Sequence, residues 1–139
     1  MDVLRAKVRN NAFQQTGWFP IRKTEEAEGS SLFREFPSGI EVFHWPWDAI
    51  HLPAGAVHVA RSAGCEYQAF VYEDRVVGLQ FHLEVTEEMV RKMLEEGSEE
   101  IATGPFVQSP DQILSNVEGF RRINETMYWF LDRLQRLTR

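Results

Sequence analysis

The middle of the chain is built from short apolar runs separated by turn residues. Residues 40–45, 56–62, 67–72 and 75–82 are rich in β-branched and aromatic side chains and predict four strands. Pro37-Ser38-Gly39 and Leu52-Pro53-Ala54-Gly55 read as turns, and Glu73-Asp74 as the two-residue connection of a hairpin. Within the last strand Val76, Val77 and Leu79 are apolar on both parities, which predicts an interior strand covered on both faces. Residues 17–24 (GWFPIRKT) predict a further strand, with Pro20 placing it at an edge or bulge. Residues 25–31 are polar and read as a loop, and residues 31–36 as one helical turn.

The apolar period changes from two to between three and four after residue 86. Thr86 is a good N-cap with Glu87 and Glu88 behind it, where the helix dipole favours anions. Met89, Val90, Met93 and Leu94 then form one stripe, and Gly97 is a stop signal. Ser109-Pro110-Asp111 is a second cap with proline at the first helical position. From it Ile113, Val117, Phe120, Ile123, Met127, Leu131 and Leu134 recur at helical spacing, in one helix or in two broken near Ser115-Asn116 or Gly119. Arg121, Arg122, Arg133 and Arg136 are expected outside. The elements predict an α/β fold: a mixed sheet with antiparallel hairpins and C-terminal helices.

A chain of 139 residues that is 43% hydrophobic is one domain or one large piece of a domain, and not disordered. A net charge of −6 argues against nucleic acid or an anionic membrane as partner. No apolar run is long enough to span a bilayer, and residues 1–11 lack a secretory h-region. The expected location is the cytoplasm. One cysteine, Cys65, forms no intrachain disulfide, and no Cys/His pair has ligand spacing, so neither metal nor cofactor is expected.

Candidate chemistry sits in Gln80-Phe81-His82-Leu83-Glu84, at the end of a strand and just before a helix. There a carboxylate can fix the imidazole tautomer and favour the ring's protonated form. A structural or surface pair would read the same way. His44 is placed near the rim of a pocket, and His51 and His58 are expected in solvent.

The stretch Gly78 to Thr86 (GLQFHLEVT) resembles the motif that closes class I glutamine amidotransferase domains, where Phe-His-Pro-Glu is usual. Gly17-Trp18-Phe19-Pro20 is similar to the family's Gly-Trp strand. Val42-Phe43-His44-Trp45, Asp48 and Leu52-Pro53-Ala54-Gly55-Ala56 are similar to its central segment. Ala60-Arg61-Ser62, Cys65 and Gln68-Ala69-Phe70 are similar to its next strand pair. The order is right over roughly residues 4 to 95. The tail from Gln108 to Leu134 resembles free-standing proteins related to the amidotransferase domain of GMP synthase, a subgroup that also tends to carry leucine between the histidine and the glutamate.

The resemblance implies an incomplete flavodoxin-like amidotransferase fold, a single partial domain over residues 1–139. Residues 1–97 would hold the sheet and the His/Glu motif, and residues 98–139 a helical segment. It implies His82 as base and Glu84 as its orienter, serving a cysteine on a Gly-x-Cys-x-Gly-like elbow. That elbow has no counterpart here. Residues 3–8 look like the end of the helix that follows it, and Ser-Ala-Gly-Cys-Glu around Cys65 lacks its glycine placement. Glutamine hydrolysis would then need a complementing N-terminal half.

Pro46-Trp47 replaces the family's His-Gly beside the glutamine pocket. Trp47, Ile50 and Tyr67, with His44, Trp45, Pro46 and Phe13 nearby, are either drifted core residues or a rim turned into a contact surface, natural or engineered. Three functions follow: half of a split glutaminase, a non-catalytic protein-binding module around Trp47, or an inactive scaffold. The missing first strands leave one sheet edge unpaired, which predicts a homodimer or another protein partner.

Overall fold

The structure is a computed structural model that describes residues 8–9, 15–45, 49–50, 52–97 and 104–137. Its strands are β1 (Val8–Arg9), β2 (Gly17–Pro20), β3 (Arg22–Lys23), β4 (Glu41–His44), β5 (Ala49–Ile50), β6 (Val57–Arg61), β7 (Ala69–Tyr72) and β8 (Val76–Leu79). The α-helices are α1 (Glu87–Gly97), α2 (Pro110–Ser115) and α3 (Val117–Leu137). Among the described residues β3, β6, β7 and β8 form an antiparallel sheet in that order, while β2 pairs with β4 and β1 with β5. The result is mixed α/β with antiparallel hairpins and C-terminal helices, as the periodicity predicts.

The strand expected over residues 17–24 is two strands. Pro20 cannot donate to a ladder, and after it the chain leaves β4 for β6. Ile21 marks the change: it is buried, its N–H donates to Ile40 O at 3.1 Å, and its carbonyl accepts from Gly39 N–H at 2.8 Å. The loop expected over residues 25–31 is largely a short 3-10 helix, Glu25–Gly29. Ser30 carries on into the predicted helical turn, with Arg34 N–H donating to its carbonyl at 2.8 Å. Val8 lies in a strand, not at a helix end, and residues 1–7 lie outside the described residues.

β7 and β8 join through three residues, Glu73, Asp74 and Arg75, with Tyr72 opposite Val76. Glu73 and Asp74 sit at positive φ (53° and 54°), and Arg75 N–H closes the turn on Tyr72 O at 3.1 Å. The interior position expected for β8 is not found. It is the last strand of its sheet among the described residues, and Val76 and Val77 are half-buried. Val77 and Leu79, which share one parity, pack at the margin of the core.

The β2–β4 pair is flanked on both sides. Thr16 N–H donates to Phe106 O at 2.8 Å, and Gln108 N–H to Thr16 O at 2.9 Å. The Gln108 side chain then imitates a strand: its Oε1 accepts from Trp18 N–H at 2.9 Å and its Nε2 donates to Trp18 O at 3.0 Å. Gly17 makes room for it, because a Cβ there would sit 2.4 Å from Gln108 Oε1. On the other side His82 N–H donates to Phe43 O at 2.9 Å.

The helices cover this sheet. Ser109 accepts from Gln112 N–H at 3.2 Å while Gln112 Oε1 accepts from Ser109 N–H at 2.8 Å, a closed capping box. α2 and α3 break at Asn116, whose Oδ1 accepts from Gly119 N–H at 3.0 Å. Trp18 joins helices to strands: its indole donates to Ile113 O at 3.0 Å, and its ring stands edge-on to Phe43 and Phe120. One core runs from Val42, Phe43 and Val71 in the strands to Val90, Ile123 and Phe130 in the helices. Arg133, expected in solvent, is half-buried. Its guanidinium donates twice to Ser31 O, at 2.9 and 2.6 Å, and ties α3 to the 31–36 turn.

Candidate active site

The site begins with five residues after β8. Phe81, Leu83 and Val85 are 3%, 0% and 2% exposed, so alternate positions are driven into the core. His82 and Glu84, between them, are left on the more open side of this bent segment, next to each other. His82 Nδ1 lies 2.9 Å from Glu84 Oε2. A carboxylate is an acceptor only, so the proton sits on Nδ1 and Nε2 carries the lone pair of the neutral ring. The hydrogen bond from His82 is the main cause that holds the Glu84 carboxyl below the usual carboxylate range.

A residue that the sequence did not single out secures this segment. Asn124 on α3 donates from one amide nitrogen to both Leu83 O and Val85 O, each at 3.0 Å. It clamps the backbone on both sides of Glu84. The available signal was a single amide between Ile123 and Met127 on a helix face that packs inward.

His44 ends β4 and is 3% exposed, a buried ring. Its Nε2–H donates to Phe19 O at 3.1 Å. Burial first, and then the electrostatic presence of His82, push its pKa down to about 4. The ring is neutral at ordinary pH. Trp45 is half-buried, stacked on Phe43 with centroids 6.2 Å apart. Tyr67 is half-buried and meets the His58 ring edge-on at 4.8 Å, so the partner it shows lies in the β6–β7 hairpin. His58 is not solvated as expected: its side chain is 13% exposed, and its Nε2 faces Ala60 O at 2.9 Å and Glu66 O at 2.7 Å. Phe13, Pro46, Trp47, Asp48 and His51 lie outside the described residues, and for Ile50 only the backbone is described.

Cys65 closes the β6–β7 connection, where Ser62 N–H donates to its carbonyl at 2.8 Å. Its thiol is 6% exposed and donates to Tyr67 O at 3.6 Å. A thiol on a hairpin turn, engaged with a carbonyl, is not the strand-to-helix elbow of an activated nucleophile. Among the described residues no group of three or more His, Cys, Asp or Glu could hold a metal ion, and no helix is long and apolar enough to cross a membrane.

A mixed α/β arrangement of antiparallel strands with C-terminal helices packed on them is the fold of solved glutamine amidotransferases. The comparisons agree. The chain is 30% identical over 136 residues to the glutamine amidotransferase-like protein YfeJ of Salmonella typhimurium, a match that covers 96% of this chain and 56% of that protein. It superposes on a glutamine amidotransferase from Thermotoga maritima with a TM-score of 0.77 at 30% identity. A glutamine amido transferase from Methylobacillus flagellatus shares the fold at a TM-score of 0.84 and 24% identity. Each match covers 96% of this chain and 56% of the other. No protein-family profile matches. Its homologues and structural neighbours are glutamine amidotransferases, and the chain spans about half the length of the relatives it matches.

Proposed function

We propose that this chain supplies the proton-handling half of a glutamine amidotransferase site, for the hydrolysis of glutamine to glutamate and ammonia. The observation that carries the reading is the 2.9 Å contact between His82 Nδ1 and Glu84 Oε2 on one face of a segment pinned by three buried side chains. In this role His82 Nε2 takes the proton of a cysteine thiol, the thiolate attacks the side-chain amide carbon, and the protonated ring returns the proton to the departing ammonia; a water deprotonated by the same ring then attacks the resulting thioester, breaking the C–S bond to release glutamate and the thiol. Glu84 keeps the ring in the required tautomer and favours its charged form.

The thiol in this reading comes from outside these 139 residues, since Cys65, the chain's one cysteine, donates to a backbone carbonyl. The relatives are nearly twice as long as the part matched, which leaves room for such a segment. The chain alone then has no glutaminase activity.

The test is complementation. The purified chain is mixed with the separately produced remaining portion of a full-length relative, and glutamate and ammonia are measured. Activity should appear only in the mixture. His82→Ala should lower it at least about a hundredfold, the usual scale for loss of a general base, and Glu84→Gln by less. Turnover by this chain alone, or a His82→Ala mixture as active as the wild type, would refute the proposal.

A further inference from the structure

Arg22 on β3 and Arg61 on β6 are register partners across an antiparallel pair. Residues directly opposite on such a pair project from one face, and like charges placed so repel each other. The chain has carboxylates to spare, 21 against 15 lysines and arginines. Arg61 uses one of them, lying 3.2 Å from Glu66. Arg22 is exposed and ion-pairs with none of the described carboxylates.

Both arginines line a pocket of about 350 Å³ together with Gln15, Phe19, Pro20, Ser62 and Ala63. Phe19, Pro20 and Ala63 give it an apolar wall. Gln15 is 4% exposed; among the described residues its amide nitrogen meets no acceptor, and the nearby Gln68 Oε1 meets no donor, so this buried amide pair is enclosed behind the pocket wall. Ser62 is already engaged: its hydroxyl donates to Gln15 Oε1 at 2.9 Å and accepts from Gln68 Nε2 at 2.8 Å. An anion bound here screens the opposed guanidiniums and meets the planar fork that arginine presents to oxyanions.

We infer that this pocket, which does not include His82 or Glu84, binds a small molecule bearing a carboxylate or phosphate on a compact apolar body. Arg22 grips the oxyanion, Arg61 shares itself between the ligand and Glu66, and the body lies against Phe19 and Pro20. The volume is near the lower end for ligand sites, which restricts the occupant to something small.

The test is titration of the whole chain, followed by NMR at the arginine Nε–H and nearby backbone amides, with benzoate, phenyl phosphate and benzamide as probes. At least one of the two anions should bind saturably, with a Kd in the range of about 1–10 mM. The tighter of the two identifies the oxyanion. Neutral benzamide should bind at least about tenfold more weakly. Arg22→Gln should weaken the anion about tenfold or more, and without ligand it should melt no lower than the wild type, because it removes a like-charge contact. Arg61→Gln should weaken binding as well. The proposal is overturned if neither anion saturates, if benzamide matches the better anion, if Arg22→Gln binds normally, or if it lowers the Tm by more than about 5 °C.

Discussion

Few side chains in this molecule combine as much burial with as much chemistry as His44. Its ordinary pKa of 6.5 is pushed down to about 4 because the charged ring would lose its hydration and would lie near His82. The linkage has a definite sign. Below pH 6.5 the unfolded chain takes up a proton at this histidine that the folded chain refuses, so stability falls as pH drops towards 4 and levels off below it. The full effect is on the order of 3 kcal/mol. Glu84 acts in the window below: its folded pKa is depressed, so its contribution is present above the usual carboxylate range and is lost as the carboxyl protonates. Its side chain is nearly half exposed, so that contribution is small. Urea unfolding of wild type and His44→Gln at pH 7, 5.5 and 4.5 should show a steeper loss in the wild type. Parallel losses would contradict a neutral, buried His44.

The elements show how a histidine–carboxylate pair can be legible while its support is not. Residue types and spacing were enough to place His82 and Glu84 together, because a separation of two residues is a local property. Asn124 is 39 to 41 residues away from the carbonyls it holds, and nothing local announces it. Asn124→Ala should cost about 1–3 kcal/mol through two lost bonds to buried carbonyls. In a complemented enzyme it should lower kcat more than it raises KM, since it loosens the group that moves the proton and not the one that binds glutamine. A variant with normal stability and normal kcat would remove Asn124 from any positioning role. The same contrast explains the split of residues 17–24. Pro20 gave notice of an irregularity, but the exchange of β4 for β6 as partner depends on where those strands lie.

Strands and helices among the described residues meet at Trp18. The indole bonds to α2, its ring touches α3 through Phe120, and its strand pairs with β4 and with the 106–108 segment. We therefore propose that the sheet portion and the helical portion divided near residue 97 unfold together. Trp18→Ala should cost about 3–5 kcal/mol. In the wild type, denaturation followed by helix circular dichroism and by a probe on β6 or β7 should give one shared midpoint. Two separate midpoints would make the halves independent units.

The sequence by itself determined what depends on near neighbours. It set the strand and helix periods, the caps at Thr86 and Ser109, the Glu73-Asp74 hairpin, and the shared face of His82 and Glu84. The likeness of its motifs to an amidotransferase was legible too, since a motif is a local pattern. Only the tertiary structure decided the rest: that β8 is the last strand of its sheet among the described residues, that Gln108 completes the other side of β2, that Arg133 and His58 turn inward to carbonyls, and that two arginines stand opposite each other on paired strands beside a pocket. Each of these joins groups separated along the chain, and their energies depend on burial and on pair distances that exist only once the core has closed.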